Sequence, residues 1–136
     1  MLRRNTKVIG DITEAKMQAA LLAAGKIVLT PFGDNQRYDL AIDEGGVFKR
    51  IQCKTGQLTK HGHIKFSTVS VSNNGKNVVG YTGQIEFFGV YCRDNDSCYL
   101  VPVELTTKKQ CHLRVHVGAA HSHVSEETRM ASEYLI

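Results

Sequence analysis

Hydrophobic and polar positions first recur at helical spacing, at Ile12, Ala15, Ala19 and Leu22, and predict a helix over residues 11–24. Gly25 is placed to end it, and Asp11 to cap its start or favour the positive end of its dipole. The period then changes from 3.6 to 2. Residues 26–30 form a short β-branched run stopped by Pro31, and 32–36 read as a loop. From Tyr38 to Asp43 the chain alternates, with Tyr38, Leu40 and Ile42 on one face and Asp39, Ala41 and Asp43 on the other. After the Glu44-Gly45-Gly46 turn it alternates again from Val47 to Thr55. There Val47, Ile51 and Cys53 share a mainly apolar face with Lys49, and Arg50, Gln52 and Lys54 share the other.

Further on, residues 64–71 predict a strand, and SNNGKNVVG at 72–80 a turn-rich polar insertion. A helical turn is expected over 81–86. A second hairpin follows, with strands at 87–92 and 98–103 around Asp94-Asn95-Asp96. Beyond Glu104 the pattern gives an edge strand at 113–117 and a short terminal helix from a Ser125 cap to Tyr134. The order is helix, three strands, a crossover and two strands, hence an α/β or α+β single sheet with a helix at its head. With 136 residues and no linker or repeat, one domain is expected over 1–136, its core at about 10–104 and an extension at 105–136.

The strand alternation brings chemistry together. Across the turn, Asp39 meets Gln52 and Lys54, two neighbours on one face of the next strand. A carboxylate, a second oxygen donor and a lysine at one point are the parts needed to hold Mg²⁺ and hydrolyse a phosphodiester. Asp39 is the candidate main ligand, with the Gln52 side-chain oxygen and the backbone carbonyl of Cys53 filling further positions. Lys54 would lie near the attacking water and the scissile phosphate. Glu14, in the first helix, is a candidate second ligand. The same spacing also describes an ordinary cross-strand ion pair, and an acid early in a helix is favoured by the dipole alone.

The net charge of +4 is compatible with a nucleic-acid partner without selecting one. Candidate DNA contacts are Arg3, Arg4 and Lys7 for phosphates. In the polar loops the candidates are Lys60, His61, His63 and Lys65, then Asn73, Asn74, Lys76 and Asn77. A turn such as SNNGKN is equally an exposed run of turn formers. No apolar run approaches membrane-spanning length and the N-terminus lacks a signal-peptide core, so a cytoplasmic protein is expected. Cys53, Cys92, Cys98 and Cys111 contain no CxxC pair and are expected as free thiols. A rival reading gathers Cys98, Cys111, His112 and His116, with His121 and His123 beyond, into a zinc site. Arg114 between two of those histidines opposes a cation there.

Glu14 on the leading helix, Asp39, and then Gln52-Cys53-Lys54 together resemble the PD-(D/E)XK nuclease motif, and most nearly the cyanobacterial-type homing endonucleases encoded in group I introns. The similarity runs through GDITEAK, RYDLAID, RIQCKTG and YTGQIEFFGVYCRDNDSCYLVPVE. It implies a restriction-endonuclease-like α-β-β-β-α-β core with a mixed sheet, and Mg²⁺-dependent double-strand DNA cleavage, with Mn²⁺ able to substitute. It also implies that Glu14, Asp39, Gln52 and Lys54 form the site. Gln52 stands where the superfamily usually has an acid, although glutamine is characteristic of this subgroup, and Tyr38 stands where proline is common. Reading a long site with a small chain favours a homo-oligomer, a dimer or dimer-based tetramer. The alternatives are a structure-selective nuclease of Holliday-junction type and a decayed nuclease that only binds DNA.

Overall fold

Helix α1 runs Thr6–Ala23 in the computed structural model, which describes residues 5–72, 75, 77–106, 109–115 and 129–136. The helix starts earlier than Asp11 because Asn5 caps it, its Oδ1 accepting from the backbone N–H groups of Lys7 and Val8 at 3.1 and 3.4 Å. Gly25, at φ 80°, ends it as expected. The buried face is not the expected stripe. Thr13, Met17 and Leu21 face inward, while Ile12 and Leu22 remain 37% and 60% exposed. The buried stripe thus lies on the opposite side of the helix, about 180° around at about 100° per residue. Met17 and Leu21 bury more apolar area than two alanines, and Thr13 finds a partner for its hydroxyl in Thr55 at 2.6 Å.

The strands are β1 Ile27–Leu29, β2 Leu40–Glu44, β3 Val47–Leu58, β4 His63–Ser67, β5 Val69–Ser72, β6 Asn77–Gly80, β7 Phe87–Cys92, β8 Ser97–Pro102 and β9 Gln110–Arg114. Long β3 organises them. It pairs antiparallel with β2 from Val47 to Ile51, parallel with β7 from Ile51 to Gly56, and antiparallel with β4 at Gln57 and Leu58. β1 extends the sheet beyond β2, β8 beyond β7 and β9 beyond β4. The sheet is therefore mixed, with a leading helix, as expected. The parallel β3–β7 pair requires a crossover, and here it departs from the α-β-β-β-α-β order. Its described residues carry β4 and the two-stranded β5–β6 hairpin, with a turn closed by the N–H of Gln84 on the carbonyl of Tyr81. The β-branched residues Val69, Val71, Val78 and Val79 favour strand over helix.

Two cores cover the two faces. On one, Met17 and Leu21 pack with Leu40, Ile42, Ile51, Tyr91 and Cys98. On the other, Phe66, Phe88, Val90, Val101 and Leu113 form the larger cluster, closed by Ala131 in a short 3-10 turn. That division removes the zinc reading: Cys98 belongs to the helix side and Cys111 to the opposite core. No group of metal-ligating side chains forms among the described residues, and the Cys98 thiol is pushed up to about 11 by burial and by Asp96. All four cysteines are free. His116, His121, His123 and Ser125 lie outside the described residues, as do Arg3, Arg4, Asn73, Asn74, Lys76 and Lys108. No helix among the described residues is long and apolar enough to cross a membrane.

Gly56 sits where β3 meets both β4 and β7. A Cβ there would lie 2.7 Å from Ile64 Cγ2 and 2.9 Å from Val90 Cγ1, both on stiff β-branched side chains. Gly56→Ala is expected to destabilise by about 1–3 kcal/mol, seen as a lower midpoint in denaturant. An unchanged midpoint would show that the two strands can separate freely at this point.

Candidate active site

β2 begins at Leu40, opposite Ile51, while its antiparallel partner β3 continues beyond Ile51. The next N–H on that edge of β3, at Cys53, would lack a strand partner. Asp39 takes the strand's place. Its own N–H donates to the carbonyl of Ile51 at 2.9 Å, and its Oδ2 accepts from the N–H of Cys53 at 2.9 Å. The acid is thus fixed to β3 through both backbone and side chain. Burial raises the proton affinity of the Asp39 carboxyl, opposed by the Cys53 N–H and the charge of Lys54.

Glu14 arrives from the helix side, next to the buried Thr13. With Asp39 it lines a cavity of about 180 Å³ whose other walls include Thr30, Asp34, Gln36 and Tyr38. The Glu14 carboxyl is raised by burial, then by the negative charges of Asp39 and Asp11. Lys54 points to the opposite face from Cys53. Its Nζ donates to the carbonyl of Val69 at 3.1 Å and lies 5.1 Å from the Tyr81 ring centroid. Burial and repulsion from Arg37 lower its proton affinity, and Asp39 opposes them. Asp39 therefore acts on Glu14 and on Lys54, and joins the two sides. Gln52 is half-buried, one position beyond the Leu40–Ile51 pair and on the face of Lys54.

Two raised carboxyls in one polar cavity are a negative pair that a cation would relieve. The Glu14 and Asp39 carboxylates suit a hard cation that keeps waters in its shell, while Gln52 and Cys53, on adjoining β3, are not among the residues lining the cavity. Asp34 lines the same cavity, but no three histidine, cysteine, aspartate or glutamate side chains gather closely enough to hold a metal among the described residues. A second cavity, of about 660 Å³, lies between the start of α1 and the far end of β3, lined by Thr6, Gly56, Arg93 and Asp94 among others, and holds none of these groups.

Arg37 is a residue that the sequence pattern does not single out. Its guanidinium stacks 4.0 Å from the Tyr81 ring and donates to Gln84 Oε1, Ser70 Oγ and the carbonyl of Gly80 at 2.6, 2.8 and 2.9 Å. It fastens the β5–β6 hairpin beside the site. Nothing in local spacing signals partners so distant along the chain. Of the expected DNA contacts, Asn77 lies on that hairpin and is exposed. Lys60 and His61 lie in the β3–β4 turn, with His63 and Lys65 on β4. That turn begins at Thr59, roughly 16 Å along the strand from Lys54 at 3.3 Å per residue. Lys7 is exposed in the first turn of α1.

With this geometry in place, the sequence pattern of the PD-(D/E)XK endonuclease family matches residues 4–134. The chain belongs to that family. Nucleases of this family generally use divalent metal ions. The fold is also similar to the solved structure of a bacterial homing endonuclease, I-Ssp6803I, at 25% identity and a TM-score of 0.75, covering 96% of this chain and 88% of that one. No curated protein sequence matches this chain.

The burial of Asp39 carries a stability cost. In metal-free buffer at neutral pH, Asp39→Asn is expected to raise the melting temperature by a few degrees, because the amide oxygen still accepts from Cys53 and no charge is desolvated. The folded carboxyl titrates above its ordinary 3.8, so this gain is full above the raised value. It declines as pH falls through the raised value and is gone below the ordinary 3.8. Calorimetry across that pH window checks it, and a melting temperature lowered at neutral pH would refute it.

Proposed function

We propose that the chain is a site-specific homing-type endonuclease that makes Mg²⁺-dependent double-strand breaks in DNA at a long pseudo-palindromic site. The observation that carries this reading is the placement of Asp39, held by Cys53 and acting on both Glu14 and Lys54. The similarity to a homing endonuclease supports the finer class.

Glu14, Asp39, Gln52 and the Cys53 carbonyl would hold Mg²⁺, or Mn²⁺ in its place. When bound, such a cation supplies charge neutralisation at the phosphate and lowers the proton affinity of a water. The protein's own groups do the rest. Asp39 keeps one oxygen committed to Cys53, which fixes the orientation of the other. Lys54, its ammonium oriented by Val69, places a positive charge beside the cavity where negative charge develops on phosphate oxygens. Its lowered proton affinity also suits transfer of a proton to or from water. The β5–β6 hairpin, fastened by Arg37, would present Asn77 to a DNA groove that admits a two-stranded ribbon. Gln52 supplies an oxygen without charge, so the site relies on two carboxylates and would hold its cation less tightly than a three-acid site.

A long target and a small chain favour two-fold assembly. The outer stripe of α1 suits it. Val8, Ile12, Ala15, Ala19 and Leu22 alternate four and three residues apart, the spacing of a helix–helix seam, and all are exposed. We assign this stripe to a second copy of the chain.

Asp39→Asn is expected to lower cleavage of a target duplex by at least about 100-fold while binding is kept. Lys54→Ala should lower turnover by roughly 10²–10³-fold with affinity changed only a few-fold. Single-turnover kinetics and binding isotherms separate the two. Cleavage unchanged in Asp39→Asn removes that residue from the site; a loss confined to affinity makes Lys54 a phosphate anchor. Branched substrates cut in preference to linear ones would select a junction-specific nuclease, and binding without cutting in Mg²⁺ or Mn²⁺ a decayed one. Leu22→Glu should reduce the sedimentation mass to that of one chain; an assembly that persists unchanged places the interface elsewhere.

A further inference from the structure

The β4–β9 pair buries one face and leaves a basic one. Ile64, Phe66, Cys111 and Leu113 turn into the core, so His63, Lys65, His112 and Arg114 share the other side. Register places His63 opposite Arg114 and Lys65 opposite His112. Four basic side chains thus form a two-by-two block. The His63 and His112 rings meet edge to face across it, 5.9 Å between centroids.

Arg114 is the anomaly. It is only 7% exposed, and its Nε and Nη1 are buried with no hydrogen-bond partner. Its Nη2 reaches only His63 Nε2, at 3.4 Å. A guanidinium cannot shed its charge, so a buried one lacking acceptors is costly until an anion arrives. No acid answers it among the described ion pairs. The surroundings point the same way: burial, then Arg114, His112 and His61, all lower the proton affinity of His63, and no negative group among the described residues opposes them.

We propose that Arg114, His63, His112 and Lys65 form a binding site for a phosphate-like oxyanion, filled in the working enzyme by a backbone phosphate of DNA away from the scissile bond. A planar fork of donors beside two imidazoles and an ammonium matches several oxygens on one anion. Lys60 and His61 continue the positive surface into the adjoining β3–β4 turn. Such an interaction gives affinity and registers the duplex without reading its sequence. Only the source of the phosphate rests on the nuclease reading; the anion site itself does not.

The test uses the full chain and two probes. Melting is followed in sodium sulfate against sodium chloride at matched ionic strength, for wild type, Arg114→Met and the double variant Lys65→Ala/His112→Ala. Binding of a linear duplex in EDTA is then measured across a salt series. Sulfate should raise the wild-type melting temperature by a few degrees in a saturable way, with the increment abolished in Arg114→Met and reduced in the double variant. Arg114→Met should melt no lower than wild type without sulfate, because it removes an unpaired buried charge. Duplex affinity should fall about 10-fold in each variant, and the salt slope by about 1 for each phosphate that the protein no longer neutralises.

Equal sulfate responses in wild type and both variants would overturn the site. So would a melting temperature several degrees lower for Arg114→Met without sulfate, which would mean that a carboxylate, from this chain or a second copy, already pairs with Arg114. If Arg114→Met does not fold, the double variant decides by the same sulfate comparison. A normal sulfate response with an unchanged duplex salt slope would overturn DNA as the source and leave a free anion. Loss of cleavage activity alone bears on the proposed nuclease function and changes none of these readouts.

Discussion

Everything at the candidate site depends on how Asp39 is fastened to β3. Ile51 pairs with Leu40 of β2 and Phe87 of β7, and its carbonyl takes the N–H of Asp39. One residue of the central strand therefore fixes β2, β7 and the acid together. The side chain of Asp39 then satisfies the next N–H along that edge, at Cys53. A hydrogen bond that a sheet would ordinarily make between backbones is made by a carboxylate. The acid cannot move without breaking the edge of the sheet.

From that anchor the electrostatics follow. Burial raises the proton affinity of Asp39, and Asp39 contributes to raising that of Glu14, which α1 delivers from the helix side. Lys54 reaches the same acid from the other face, with its ammonium directed by Val69 and Tyr81. The site thus spans both faces at one strand edge. A cation would relieve two partly buried carboxyls, and Arg37 links that same edge to the β5–β6 hairpin. Strained charge in the free protein is what binding would discharge, and the unpaired Arg114 repeats that logic with the opposite sign on β4–β9.

Much of this was legible in the chain because strand alternation is strict. Alternation over residues 38–43 and 47–55 predicts Asp39 near Gln52 and Lys54; in the structure Asp39 bonds Ile51 and Cys53, and the charge of Lys54 acts on it. The helix was less legible. Ile12, Ala15, Ala19 and Leu22 have the right spacing but face outward, since Met17 and Leu21 compete for the core and Thr13 is admitted by a hydroxyl partner on β3. Periodicity gives the existence of a helix, and only packing gives its rotation. The start was missed because Asn5 and Asp11 are both competent caps, and Asn5 has a full turn of chain ahead of Asp11. The β5–β6 hairpin was hidden by turn formers in SNNGKN, and the role of Arg37 by the length of chain between its partners. The cysteine–histidine grouping failed because alternate faces of a sheet separate residues that spacing alone would join.

The central claim is that Glu14, Asp39 and Lys54 make one cation-dependent site that cuts DNA at a defined sequence. The most direct measurement exposes a randomised library of linear duplexes to the protein, with and without Mg²⁺, and sequences the ends. Ends that require Mg²⁺ and cluster at one long, partly palindromic sequence are expected. Ends scattered without sequence preference, or formed equally without a divalent cation, would contradict that claim.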